Sequence, residues 1–255
     1  MRHGRRRRRN LNNHNMRTSI KIFLGSIGLL GIGLLIYDLQ LNAVYRRGDF
    51  VKPFHEFVPL NFRDFDCVRL NSASSMNVLL VQGDFKVLAN PDITDWLEVR
   101  QEGRQLILTA KFPDHHTGYR DNQCGVYISC PRLDEITTDG QYFVRGVKTV
   151  DTNARNLWYM PSLIRGFGLD SLSILEKFGG NLVMEGDRIS RLTVVVGGGS
   201  GLTISSGNAI GGGDLSIQSN STLILKDTSS LKLHYHITAD AVVTMNGAAA
   251  RQLLK

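Results

Sequence analysis

Short apolar-x-apolar segments recur through the second half of the chain at a spacing that few β architectures produce. They are Leu172–Ile174, Leu182–Met184, Leu192–Val194 and Leu202–Ile204, whose starts lie ten residues apart, then Leu215–Ile217, Leu223–Leu225, Leu231–Leu233 and Val243–Met245. Every second segment starts at Leu182, Leu202, Leu223 and Val243, in steps of 20, 21 and 20 residues. The alternate set, Leu172, Leu192, Leu215 and Leu231, steps by 20, 23 and 16. A period near twenty predicts a solenoid with two strands per coil, in which inward Leu, Ile and Val stack into a continuous core. Leu182, Leu202, Leu223 and Val243 are then expected in one ladder, with rungs about 4.8 Å apart. Thr203 and Thr222 are expected to face outward, together with one apolar residue, Ile224. The runs Gly197–Gly201, Gly211–Gly213 and Ser219–Ser221 read as turns between strands, where Gly and Asn adopt φ > 0 cheaply.

Upstream the pattern is also β, and no stretch after Leu41 has a 3.6-residue apolar period. Strands are expected in Phe65–Leu70, Met76–Val81 and Phe85–Leu88. Trp96–Arg100 and Gln105–Thr109 flank Glu102-Gly103-Arg104 as a hairpin. Val126–Cys130 runs into Pro131, which ends it. Asn153–Arg165, with Trp158, Tyr159 and Pro161, interrupts the coils. The cysteines are Cys67, Cys124 and Cys130, and no C-x-x-C occurs. Cys124 and Cys130 fall on one extended run, roughly 20 Å apart, too far to bridge. Cys67 is left able to pair with either, against the plainer reading of three buried thiols.

At the other end, Ile22–Ile36 carries no charge. As a helix it spans about 22 Å, and its continuation to Leu41 reaches about 30 Å, a full hydrocarbon core, while taking in Asp38 and Gln40. Eight cations (Arg2, Arg5–Arg9, Arg17 and Lys21) precede it with no acid among them. Positive flanks stay in the cytoplasm, so the downstream chain is expected outside. The nearest approach to a peptidase site, Leu41-Asn42-Ala43, has a large residue where a small one is needed, which favours an uncleaved signal anchor over a cleaved signal peptide. Without those eight cations the rest of the chain is near neutral, with 22 cations against 23 anions. A nucleic-acid binder usually carries its excess on the folded part. Topology and anionic lipid account for the tail, so no nucleic-acid partner is expected. The expected organisation is a basic cytoplasmic tail (1–21), a transmembrane signal anchor (22–41), a linker (42–61) and an exported β domain (62–255), with capping strands in 62–133 and coils in 134–255.

Enzymes built on stacked coils need clustered carboxylates, or a cation site with a base. Here Asp170, Glu176, Glu185, Asp187, Asp214, Asp227 and Asp240 are scattered. Only Glu185 and Asp187 stand at i, i+2, and across Gly186 they read as a solvated turn. His234 and His236 share one strand face, half of a metal site without a third ligand. Asp114-His115-His116 reads as a surface loop. The Gly197–Gly201 run lacks the Lys-Ser/Thr and the helix of a phosphate loop. No catalytic, cofactor-binding or metal-ligating residue, and no cofactor, is therefore assigned.

Several segments resemble the auto-transporter adhesin head GIN domain family of bacterial envelope proteins. They are Phe62–Phe65 through Val78–Asp84, then Leu97–Val99 with Gly103–Leu108. Val126–Leu133 followed by Ile136 and Gly140, and the closing Met245–Ala248, complete the likeness, which runs from about Phe62 to the C-terminus. The resemblance implies an exported right-handed parallel β-helix-like solenoid without established catalytic residues. The Asn153–Arg165 interruption departs from the family, as does the scarcity of its S-G-x-S turns. The combined expectation is an all-β protein: a solenoid behind a β-hairpin-rich cap and one N-terminal transmembrane helix. It would sit in the bacterial inner membrane by a single pass, N-terminus cytoplasmic and C-terminal domain periplasmic or extracellular. As a non-enzymatic, adhesin-like envelope protein it would take a glycan or envelope-protein ligand. The alternative is a carbohydrate-active enzyme of the polysaccharide lyase or hydrolase type.

Overall fold

The computed structural model describes residues 12–47, 54–115, 124–152, 161–227, 229–230 and 232–253. The chain forms two compact units, Met1–His55 and Glu56–Lys255. The first contains helix α1 (Asn12–Arg47). Within it Ile20–Asn42 has a mean hydropathy of 2.0 over 23 residues and buries none of its surface. At 1.5 Å per residue that stretch is about 35 Å long, enough to cross a hydrocarbon core. The helix runs past both ends of 22–41 because no proline interrupts its flanks.

The second unit is mostly β. Its first strands are β1 (Val58–Leu60), β2 (Cys67–Leu70), β3 (Val78–Gln82), β4 (Lys86–Ala89), β5 (Leu97–Glu102), β6 (Gln105–Phe112) and β7 (Val126–Cys130). Next come β8 (Glu135–Thr138), β9 (Gln141–Val144), β10 (Val147–Val150), β11 (Ser162–Arg165), β12 (Gly168–Glu176), β13 (Asn181–Glu185) and β14 (Arg188–Val196). The last are β15 (Gly201–Ile204), β16 (Ala209–Ile217), β17 (Thr222–Lys226), β18 (Ser229–Ser230), β19 (Leu233–Ile237) and β20 (Val242–Asn246), followed by helix α2 (Ala248–Leu253). They form two mixed sheets. One is ordered β1-β4-β7-β3-β11-β13-β15-β17-β20, the other β10-β9-β6-β2-β8-β12-β14-β16-β18, with β19 also beside β16 and β5 beside β6. Antiparallel pairs open each sheet and the later pairs are parallel. The expected hairpin is present as β5–β6. Parallel pairing is not confined to residues 134–255, since β3 lies beside β11 and β2 beside β8.

From β11 onward the chain alternates between the sheets, so a residue's neighbour in its own sheet is one excursion away. Leu182 pairs with Leu202, Leu202 with Leu223 and Leu223 with Val243, the ladder that the spacing predicts. A parallel column, Ile128–Leu80–Ile164–Met184–Ile204–Leu225–Met245, crosses the whole sheet. In the other sheet Leu106–Val68–Ile136–Ile174–Val194–Leu215–Tyr235 is its counterpart. Leu202 and Leu223 are fully buried, while Thr203 and Ile224 pair with each other on the opposite, half-buried face.

The alternate set is corrected. Leu192 pairs with Gly213, not Leu215, which lies beside Val194. With Leu233 beside Gly213, this sheet too steps by 20, 21 and 20. The inward position was invisible because its occupant has no side chain. Leu231 lies outside the described residues, as do Trp158, Tyr159 and His116. Gly211–Gly213 is likewise not a turn between strands but lies inside β16. There the inward–outward alternation breaks: 170–171, 190–191 and 211–212 are successive outward pairs in β12, β14 and β16. The pairing registers skip 170/190 and 190/211 at the same point, and the neighbouring strand lies so close that a Cβ on Gly213 would stand 2.0 Å from the Leu192 carbonyl oxygen.

Asp187, expected in a solvated turn, is fully buried. Phe167, Asp187 and Asn208 stand 20 and 21 residues apart, each just before a strand of the second sheet. The Phe167 N–H donates to Asp187 Oδ1 and the Asp187 N–H to Asn208 Oδ1, each at 2.8 Å. Asn208 Nδ2 in turn donates to the carbonyls of Met184 and Ser205. The corner is dry because the next coil supplies the polar partners that water would otherwise provide. Glu185 stays outside and pairs with Arg165 at 2.7 Å.

Leu202→Ala or Leu223→Ala should cost about 2–5 kcal/mol, the range for emptying a packed site, whereas Thr203→Asn should stay within about 0.5 kcal/mol. Gly213→Ala should destabilise despite its small size, since backbone rather than a flexible side chain blocks the methyl. Urea midpoints of the full chain check all three; an unchanged midpoint for Leu202→Ala would contradict the stacked core.

Candidate binding cleft

The residues singled out for chemistry are dispersed. Asp170 and Asp214 face outward on β12 and β16, while Glu176 and Asp187 are buried at different corners. His234 and His236 do share the outward face of β19, where their register partners are Asp214 and Ser216. Among the described residues no group of three His, Cys, Asp or Glu side chains is arranged to hold a metal ion. Cys67, Cys124 and Cys130 are free thiols. Burial pushes Cys124 and Cys130 up to about 12 and raises Cys67, where Glu135 and Asp134 add to the effect.

Glu176 holds an unexpected place. It continues the inward column Leu108–Leu70–Thr138–Glu176–Val196–Ile217. Thr138 Oγ1 donates to its Oε2 at 3.4 Å, and Oε1 has no partner. Burial pushes its carboxyl up to about 8. Burial also pushes Asp187 up to about 7, although the amides of Phe167, Glu185 and Gly166 oppose the shift, and its Oδ2 is unpaired. Asp139 is raised by the same cause. These acids sit inside the stack, where no substrate reaches them, so their perturbation belongs to the fold.

The open site lies elsewhere. β2 ends at Leu70, paired with Leu108, and β9 takes its place beside β6 at Lys111 and Phe112. The sheet divides there, and a cleft of about 350 Å³ opens over its outward face. The lining comes in i, i+2 pairs, the strand period that puts both members on one face: Arg69 and Asn71, Glu98 and Arg100, Thr109 and Lys111, Gln141 and Phe143, with Lys148 from β10. Arg69 Nε donates to Asn71 Oδ1 at 2.9 Å, and Asn71 Nδ2 donates to Thr109 Oγ1 at 3.0 Å. Lys111 binds Glu98 at 2.8 Å and stands 6.0 Å from the Phe143 ring centre. Beneath, Phe112 packs on Trp96 at 4.8 Å and meets Tyr142 edge-on at 6.0 Å, so the floor is fixed by aromatic contacts. The surface offers cations, amides and a hydroxyl as hydrogen-bond and ion-pair partners, and the one acid in the lining, Glu98, is paired with Lys111. Sequence reasoning missed this surface. The i, i+2 polar pairs were visible, but which strands stand side by side was not.

No family model matches this chain, and no curated protein matches it. Solved structures do. A "putative adhesin" from Bacteroides fragilis is 14% identical, over 76% of this chain and 99% of the other, with a TM-score of 0.43. A second, from Parabacteroides distasonis, is 12% identical over 74% and 96%, with a TM-score of 0.39. A "putative lipid binding protein" from the same species is 14% identical over 76% and 94%, with a TM-score of 0.29. Likeness at this level leaves the ligand of this chain to its own residues.

The two buried acids, Glu176 and Asp187, should contribute a stability that is lost as pH rises. Glu176 and Asp187 hold protons in the folded chain at pH values where the unfolded chain, with values of about 4.3 and 3.9, has lost them. The folded state therefore binds more protons between about pH 4 and pH 8, and stability falls as pH rises through that window. Glu176→Gln and Asp187→Asn remove the titrating group and should each flatten this slope. Urea unfolding at pH 5 and pH 8 measures it; a wild-type midpoint that rises with pH as steeply as in the variants would refute the assignment.

Proposed function

We propose that this chain is a membrane-anchored, non-enzymatic cell-envelope protein, adhesin-like in role, whose β-solenoid displays the cleft to a ligand outside the cytoplasm. The observation that carries the reading is the alternation of strands between two sheets at a fixed step of 20 or 21 residues. With the break in inward–outward alternation at the same place in β12, β14 and β16, that pattern fits coils wrapped around one core. Membership of the GIN-type adhesin heads rests on the segments that resemble them, and a right-handed parallel β-helix is the geometry that this membership implies. The division into a tail (1–21), an anchor (22–41), a linker (42–61), capping strands (62–133) and coils (134–255) belongs to the same reading. The apolar stretch of α1 supports the anchor, and the eight preceding cations support a cytoplasmic N-terminus in the inner membrane. Against a polysaccharide lyase or hydrolase stand the acids themselves. Glu176 and Asp187 are sealed in separate places, and Glu98, the acid in the cleft, is neutralised by Lys111.

A reporter fused after Lys255 should be active only in the oxidising compartment, and the full-length chain should resist alkaline extraction from membranes. A mature N-terminus between Asn42 and Arg47 would replace the anchor with a cleaved signal. Purified full-length protein should bind members of a glycan and envelope-protein array without releasing new reducing ends or unsaturated sugars; release of either would restore the enzyme.

A further inference from the structure

We propose that the cleft between β2, β5, β6, β9 and β10 binds an acidic glycan and reads its carboxylates, an inference that rests on the extracytoplasmic binding role proposed above. The charge balance is the first ground. Arg69, Arg100, Lys111 and Lys148 face one acid, Glu98, so the lining carries four positive charges against one negative. Glu98 is spent on Lys111, and the partner of Arg100, Glu102 at 3.0 Å, lies outside the lining. Among the described residues neither Arg69 nor Lys148 forms an ion pair, although Arg69 donates to Asn71 and feels the charge of the buried Asp139. Lys148 and the remaining donors of Arg69 are thus left to pair with an incoming anion.

The second ground is the lattice on which these groups stand. One row across the sheet runs Arg100–Ile107–Arg69, and another runs Lys111–Phe143–Lys148. Adjacent strands lie about 4.8 Å apart and i, i+2 residues about 7 Å apart. Positive groups therefore recur around a polar middle formed by Asn71 and Thr109. A small free anion needs one or two such groups, whereas this spread suits carboxylates repeated along a chain. Hydroxyls of the sugars meet the amide and hydroxyl groups, and the half-buried Phe143 ring offers a face to sugar C–H groups, with a cation on either side of it. An acidic membrane surface is the competing anion. It asks for exposed apolar side chains that insert, yet the apolar residue at the centre, Ile107, is 2% exposed. Val147 and Val150 are exposed on the neighbouring edge strand, so vesicles belong in the test.

The test uses the full-length protein in phosphatidylcholine nanodiscs, titrated with hexagalacturonate, with its fully methyl-esterified and therefore neutral form, and with phosphatidylglycerol vesicles. The acid should bind at least about tenfold more tightly than the ester, and the difference should shrink as salt screens the charges. Arg69→Gln with Lys148→Gln should weaken binding of the acid about tenfold or more and leave the ester unchanged. Lys86→Gln, on the other sheet, should change nothing. Matching urea midpoints show that the variants fold; if the double variant does not fold, Lys148→Gln alone, at an exposed position, carries the same expectation. Equal affinity for acid and ester would overturn recognition of the carboxylates and leave the binding surface standing. Binding to the vesicles alone would replace the glycan with a lipid surface. Failure to bind any of the probes would overturn this inference, while the glycan and protein array decides separately whether the chain binds at all.

Discussion

The parallel backbone ladder that runs through both sheets from β11 onward is the constraint on which the rest of the unit depends. From β11 onward each strand is fixed by amide hydrogen bonds to the strand 20 or 21 residues away, and a slip by one would turn every inward side chain outward. Because the register is fixed in both sheets at once, the apolar columns are continuous from one end of the stack to the other. Among the described residues those columns are filled mostly by buried Leu, Ile, Val and Met. Function is thereby pushed to outward faces and to places where the ladder is interrupted.

The cleft is such a place. Where β2 gives way to β9 beside β6, the outward side chains of several strands converge around a gap rather than continuing as a plain face. The core beneath is not interrupted, since Phe112, Trp96 and Tyr142 close over it. The polar groups are therefore presented from a stiff floor, which lowers the ordering cost of binding.

How much of this could be read from the residues depended on whether the signal was local. The long apolar helix and the Leu182–Leu202–Leu223–Val243 ladder were legible because uninterrupted hydropathy and a fixed period are properties of one chain read in order. Gly213 was misread because a glycine in an inward column leaves no apolar mark, so Leu215 two residues on was taken in its place. Asp187 was misread because a Gly-Asp pair signals a turn whether it is wet or dry; what dries it is Asn208, one coil later. Glu176 was passed over among scattered acids, since only the neighbouring columns reveal that it points inward. The cleft was illegible for a further reason. Its strands pair partly parallel and partly antiparallel, so Arg69, Ile107 and Arg100 come side by side from positions that no period connects.

One detail of the stack reaches beyond its packing. The coil step lengthens from 20 to 21 at a single corner, where residues 205–208 link Ile204 to Ala209 while residues 185–187 link Met184 to Arg188. The register on either side is unaffected, because the extra residue is taken up outside the ladder, where Gly207 adopts a positive φ. Corners thus act as joints that absorb changes in chain length, while strands cannot. A lineage carrying this architecture is free to insert residues at its corners, and so to remodel what it shows the outside, without disturbing a buried column.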